Sequence, residues 1–167
     1  LREHKVRFQG TVLFVGTVGE EGQGDLRGVR HLFGKEFKGK VDAFISIDGT
    51  GFSLTTRGVG SNRYTATFKG PGGHSYGAFG MPNPAHALGR AVARIADIQV
   101  PASPKTTFNV GTMEGGTSVN SIPIAVSMEL DLRSESAAEL AALDERIRAA
   151  LQAGVEAEKK RWPNSKA

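Results

Sequence analysis

The chain has 167 residues, 39% hydrophobic and 23% charged, which suits a globular protein of one ordinary domain or two small ones. No apolar run is long enough for a membrane span, the basic start LREHKVRF lacks the apolar core of a signal peptide, and there is no cysteine for a disulfide or a thiolate metal site. The formal charge of +4 and the pI of about 9.6 come from scattered basic residues with few aromatics among them, so a solvated surface is favoured over nucleic-acid binding, and the cytoplasm is the default compartment.

Residues 11–17, TVLFVGT, are β-branched and apolar and bounded by glycine, which predicts a buried strand. Residues 23–34 predict a short helix with Leu26, Val29, His31, Leu32 and Phe33 on one side and Gly34 as its stop. Residues 41–47, VDAFISI, predict a second strand. Strand, helix and strand within about forty residues make a βαβ unit and imply a parallel sheet.

The texture changes near residues 52–59. SNRYTATFKG, 61–70, alternates like a half-exposed strand. GPGGHSYGAFGMPNP, 70–84, is a glycine- and proline-rich loop. Residues 85–98 carry Ala87, Leu88, Ala91, Ile95 and Ile98 at helical spacing, and Pro101 and Pro104 close that segment. A strand over 106–116 follows. The strand over 124–134 sets Ser127, Glu129, Asp131 and Arg133 against Val126, Met128, Leu130 and Leu132. Ser136 can cap a long helix to about Arg161 whose buried stripe is Leu140, Leu143, Ile147, Leu151 and Val155. The expected fold class is α+β. A βαβ segment, 1–56, precedes a ferredoxin-like β-α-β-β-α domain, 57–167, whose last strand is missing.

Glu20 and Glu21 follow the C-terminal end of the first predicted parallel strand, and Asp48 follows the end of the next. Ligand crevices of open α/β sheets lie at those ends. Three converging carboxylates need a cation, a shared proton or distance. One reading makes this a metal site, with one acid binding the ion and the other taking the proton of a bound water. The other makes Glu20 and Glu21 the solvated first turn of a helix, where acids favour the dipole.

Four segments in this order, GTVGEEGQGDLRG, ISIDGTG, GPGGHSYGAFGMPNP and GTMEGGTSVNSIP with MELDLRS, resemble the dinuclear zinc peptidases that include aminoacylase, carboxypeptidase G and peptidase T. The resemblance implies that Glu20 is the general base, that Glu21 is a ligand of one zinc ion, and that Asp48 is a terminal ligand of the other. It implies that 57–167 is a lid and dimerisation domain. His74 would then stabilise the tetrahedral oxyanion in the partner's active site, Asn120 would hydrogen-bond substrate, and Arg133 would hold a substrate carboxylate. An aspartate at position 48 is similar to the aminopeptidase and dipeptidase branches. His31 and His86 are read as packing or surface residues, and nothing supports His4 as a ligand.

The same resemblance implies parts this chain lacks: a His-x-Asp motif and a bridging aspartate before the paired glutamates, and a histidine after the lid. The expectation is a fragment of a zinc-dependent exopeptidase that cleaves short peptides, is inactive as this chain alone, and forms a homodimer through helix 85–98 and edge strand 106–116. No membrane or nucleic-acid partner is expected. An N-acyl amino acid deacylase or carboxypeptidase, and a purely non-catalytic dimerisation module, are the alternatives. A phosphate binder is disfavoured, because GEEGQG places two acids where phosphate needs positive potential.

Overall fold

A computed structural model describes residues 7, 9–21, 24–49, 51–56 and 58–165. The chain divides into two compact units, Leu1–Phe52 and Ser53–Ala167. His4 lies outside the described residues.

In the first unit the backbone forms one helical segment, α1 (Arg27–His31), which continues as a π-helical turn over Leu32–Glu36. The helix therefore starts later than the sequence predicts and runs past Gly34. Gly28 N–H donates to the Val18 carbonyl at 3.1 Å and fixes α1 against the segment before it. Phe33 and Phe44 meet edge to face with centroids 5.0 Å apart. The two strands predicted over 11–17 and 41–47 are not formed among the described residues, so the expected βαβ unit is corrected to a single helical segment with irregular flanks. The physical reason is visible in the side chains. Parallel strands are stable when both faces are covered, whereas Phe14 is 82% exposed and Ile47 91%.

The second unit is an antiparallel sheet with helices on one face. Its elements are β1 (Gly60–Lys69), β2 (Gly73–His74), α2 (Pro84–Ala96), β3 (Thr106–Gly115), β4 (Ser121–Ile122), β5 (Ala125–Ser134) and α3 (Ala137–Arg161). Strand β5 lies between β1 and β3 and is antiparallel to both. Thus β1 and β3, joined through α2, are parallel with a third strand inserted between them, the split βαβ arrangement. Both β1 and β3 are edges of this sheet among the described residues.

The strict alternation of β5 dictates the layering. Val126, Met128, Leu130 and Leu132 are buried under the helices, with Met128 and Leu132 fully inaccessible. On the opposite face Arg63, Asp131 and Arg133 pair with one another, and Thr112 and Ser127 bond Glu129 and Glu114. That polar face is satisfied without another layer.

Both helices are set by caps. The Asn83 side chain accepts the Ala85 N–H at 2.9 Å and Pro84 occupies the first turn. Ser136 Oγ accepts the Glu139 N–H at 3.3 Å. Ala87, Leu88, Ala91 and Ile95 of α2 meet Leu143, Ile147 and Ala150 of α3 in one core with β5. At Gly154 the two helix backbones come so close that a Cβ there would sit 2.7 Å from the Ala87 carbonyl oxygen.

Among the described residues no helix is long and apolar enough to cross a membrane.

Candidate functional site

In the first unit, Glu20, Glu21 and Asp48 are all exposed, and they are close enough to feel one another. The Glu20 carboxyl is raised above the ordinary glutamate value, first by the charge of Glu21, then by desolvation, then by the charge of Asp48 and a hydrogen bond with Glu21. A carboxylate that holds its proton more tightly is a better proton acceptor. The first turn of α1 contains no acid, so the paired glutamates are not a helix's first turn.

The carboxylate oxygens suit a divalent cation, and a cation would relieve their repulsion. Among the described residues, however, no three His, Cys, Asp or Glu side chains form a group that could hold a metal ion. The residues present do not fit a whole zinc centre.

In the second unit, β2 and β4 form a two-stranded antiparallel ribbon that pairs Gly73 with Ile122 and His74 with Ser121. The ribbon continues β1 and β5 beyond the last pair of the main sheet, Lys69 with Ala125. Gly73 has φ +148°, and a Cβ there would meet the Ala78 methyl at 2.8 Å, so the ribbon requires glycine before His74. The chain then turns sharply: Ala78 N–H donates to the His74 carbonyl at 2.8 Å, and Ser75 N–H donates to the Asn120 carbonyl at 2.9 Å.

These bonds bring His74 and Asn120 to one place. Gly77 N–H donates to His74 Nδ1 at 3.3 Å. In the neutral ring the proton is therefore on Nε2, which is left as an exposed donor. Ser118 Oγ donates to Asn120 Oδ1 at 2.5 Å, which leaves the Asn120 amide nitrogen as a donor. An exposed imidazole N–H can serve a developing oxyanion.

Arg133 is not with them. It sits eight positions along β5 from Ala125, or about 27 Å at the rise of an antiparallel strand. Its Nε donates to Asp131 Oδ2 at 2.7 Å, and Arg63 Nε donates to Asp131 Oδ1 at 3.1 Å. Partial burial pushes the Asp131 carboxyl up, but the two guanidinium groups outweigh it and hold it low.

His86 and His31 each lie near a carboxylate, Glu158 at 3.6 Å and Glu36 at 3.2 Å.

The His74 loop also has a floor. A cavity of about 710 Å³ is lined by Pro71, Gly77, Phe79, Met81 and Trp162 among others. Phe79 packs edge to face on Trp162, centroids 5.4 Å apart. Sequence reasoning missed both the two-residue ribbon strands and this floor. One signal was available, since Glu158 continues the buried spacing of Leu143, Ile147 and Gly154, a carboxylate on an apolar stripe.

The sequence profile described as the peptidase dimerisation domain matches residues 56–159. The chain belongs to the peptidase dimerisation domain family. Solved structures similar to this dimerisation domain include the aminobenzoyl-glutamate utilization protein of Klebsiella pneumoniae, with TM-score 0.57, 22% identity, 60% of this chain and 26% of that one covered. The aminopeptidase PepT of Bacillus cereus matches with TM-score 0.52, 20% identity and coverage of 60% and 26%. A hydantoinase/carbamoylase family amidase of Burkholderia ambifaria matches with TM-score 0.55, 20% identity and coverage of 62% and 26%. These identities establish a shared fold. The matched part of the chain spans about a quarter of the length of each of these proteins.

Proposed function

We propose that this chain is the dimerisation domain, 57–167, together with a segment of the catalytic domain, 1–56, of a zinc-dependent hydrolase of amide bonds. The favoured activity is that of an exopeptidase of the aminopeptidase or dipeptidase kind, acting on short peptides. The observation that carries the reading is the presentation of His74. Its Nδ1 is occupied by the Gly77 N–H, its Nε2 donor is exposed, and the Ser75 N–H on the Asn120 carbonyl ties the asparagine to the same turn. An exposed imidazole N–H of this kind can bind the oxyanion of a tetrahedral intermediate.

In this proposal Glu20, with its raised carboxyl, is the general base, and Glu21 and Asp48 contribute to two zinc sites completed by residues outside this chain. The bound zinc would supply Lewis-acid activation of water and carbonyl. Arg133, too far along β5 to meet a short substrate held by His74 of its own subunit, would hold a substrate carboxylate only from the other subunit, with the guanidinium nitrogens that Asp131 leaves free. The homodimer forms through α2 and edge strand β3, because an open edge pairs readily with its symmetry mate. His74 then serves the partner subunit. N-acyl amino acids are the alternative substrates, in keeping with the amidase named among the similar structures.

The test uses the longer protein that contains this segment. His74→Ala is expected to lower kcat on dipeptides by about 10²- to 10³-fold. Glu20→Gln is expected to abolish turnover. Mixing the two inactive variants and allowing subunit exchange should restore about a quarter of wild-type activity, because half of the dimers then carry one intact pair of Glu20 and His74. Absence of recovery on mixing would remove the intersubunit role of His74.

A further inference from the structure

Among the described residues the most buried charged group in the second unit is Glu158, 2% exposed, and it lies far along the chain from His74. Its Oε1 accepts the Asn83 N–H and the Trp162 indole N–H, each at 3.1 Å, and its Oε2 accepts Arg90 Nε at 3.1 Å, with His86 Nδ1 3.6 Å away. A buried carboxylate is costly to desolvate, and a well-packed apolar side chain is often as stabilising. What the carboxylate adds is direction, because each bond fixes one donor at one place.

The donors belong to the two ends of a clamp. Asn83 closes the loop that begins at Gly70, and it caps α2. Trp162, held by Glu158 with the Arg161 guanidinium over its ring at 5.1 Å, meets Phe79 edge to face in the middle of that loop. From Phe79 the path to the histidine is short. Phe79 N–H donates to the Tyr76 carbonyl at 3.4 Å, and the same turn places the Gly77 N–H on His74 Nδ1.

We propose that Glu158 and Trp162, at the end of α3, are positioning residues for His74: through Phe79 and Asn83 they set the turn that keeps Nδ1 occupied and Nε2 free to donate. This rests on the reading of His74 as the oxyanion donor. It adds that the histidine is aimed by residues distant from it in the chain that touch no substrate.

The test reads the Gly77 amide in the 167-residue chain by hydrogen exchange in NMR, with the ¹⁵N shift of His74 Nδ1 followed in parallel. Trp162→Ala is expected to speed Gly77 exchange by about tenfold and to move the Nδ1 resonance. The core amides of Leu130 and Leu132 should keep their rates. Trp162→Phe, which retains a ring against Phe79, should recover most of the Gly77 protection. Unchanged Gly77 exchange in Trp162→Ala would overturn the proposal, and so would a parallel rise at Gly77 and in the core, which would make the clamp a matter of global stability. If Trp162→Ala does not fold, Phe79→Leu breaks the same ring contact from the loop side and is read in the same way. In the longer enzyme the variant should lower kcat with KM within about twofold. Because the exchange measurement needs no turnover, it can fail or succeed independently of the role given to His74 in catalysis.

Discussion

Replacing Gly154 with alanine sets helix propensity against packing, and the structure decides the sign. Alanine in a helix interior is favoured over glycine by about 1 kcal/mol. Here the new Cβ would lie 2.7 Å from the Ala87 carbonyl oxygen and 2.8 Å from both the nitrogen and the Cβ of Ala91. Two of those three are backbone atoms of α2, so no rotamer change relieves the contact. The helices must separate by roughly 0.6 Å or more to reach ordinary carbon contact distances. That separation loosens Ala91 and Ile147, both fully buried in the layer between α2 and α3. Overpacking of this kind costs about 1–3 kcal/mol, and the backbone nature of the clash places it at the upper end. The net expectation is about 2 kcal/mol of destabilisation, or a melting temperature lower by roughly 6–12 °C for a domain of this size. Thermal unfolding followed by far-ultraviolet circular dichroism measures it. A melting temperature raised by a few degrees, as propensity alone requires, would refute the close-packing argument.

Two further outcomes follow from titratable groups. The Glu158 carboxyl is pushed up by burial, but the Asn83 N–H, Arg90 and Trp162 hydrogen bonds and the nearby His86 hold it below the ordinary glutamate value. A depressed carboxyl contributes stability that is present above the unfolded value, near pH 4.5, and lost as pH falls through the folded one. Glu158→Gln should therefore be less stable than wild type at neutral pH, and the gap should narrow below about pH 4.5 in urea unfolding at stepped pH; a constant gap would contradict the assignment. Tyr64 donates its hydroxyl to Asp144, which also accepts Arg148 Nε at 2.8 Å, and the Arg148 guanidinium lies 5.0 Å from the Tyr64 ring centre. Tyr64→Phe keeps the ring contact and the ion pair, so it should cost about 1 kcal/mol in chemical denaturation; a loss above about 3 kcal/mol would mean that the hydroxyl anchors more than Asp144.

The second unit was legible because its signals are local. The alternation of β5 names its buried face residue by residue, and Ser136 marks the start of α3 one position before the first helical residue. The first unit misled for a reason of the same kind. TVLFVGT and VDAFISI have strand chemistry, yet a strand also needs a partner and a cover, and Ile45 is 81% exposed. At the site, His74 and Asn120 sit 46 positions apart in the chain, and only the short ribbon of β2 with β4 joins them. Glu158 was hidden for the opposite reason. Its charge suggested a surface, whereas its partners Asn83 and Arg90 lie about 70 residues earlier.

The ribbon that carries His74 projects past the last pair of the main sheet, and His74 itself is exposed and outside the cluster of core side chains of α2, α3 and β5. On the role proposed for His74, chemistry would be carried by the ribbon and folding by the core. A substitution that disables the histidine would then leave a subunit able to fold and to take its place in the proposed homodimer. In a cell that makes both versions, such a subunit would compete for partners instead of being cleared, and its effect on the pooled activity would depend on how the dimers are drawn, a dosage behaviour that a destabilised core variant would not show.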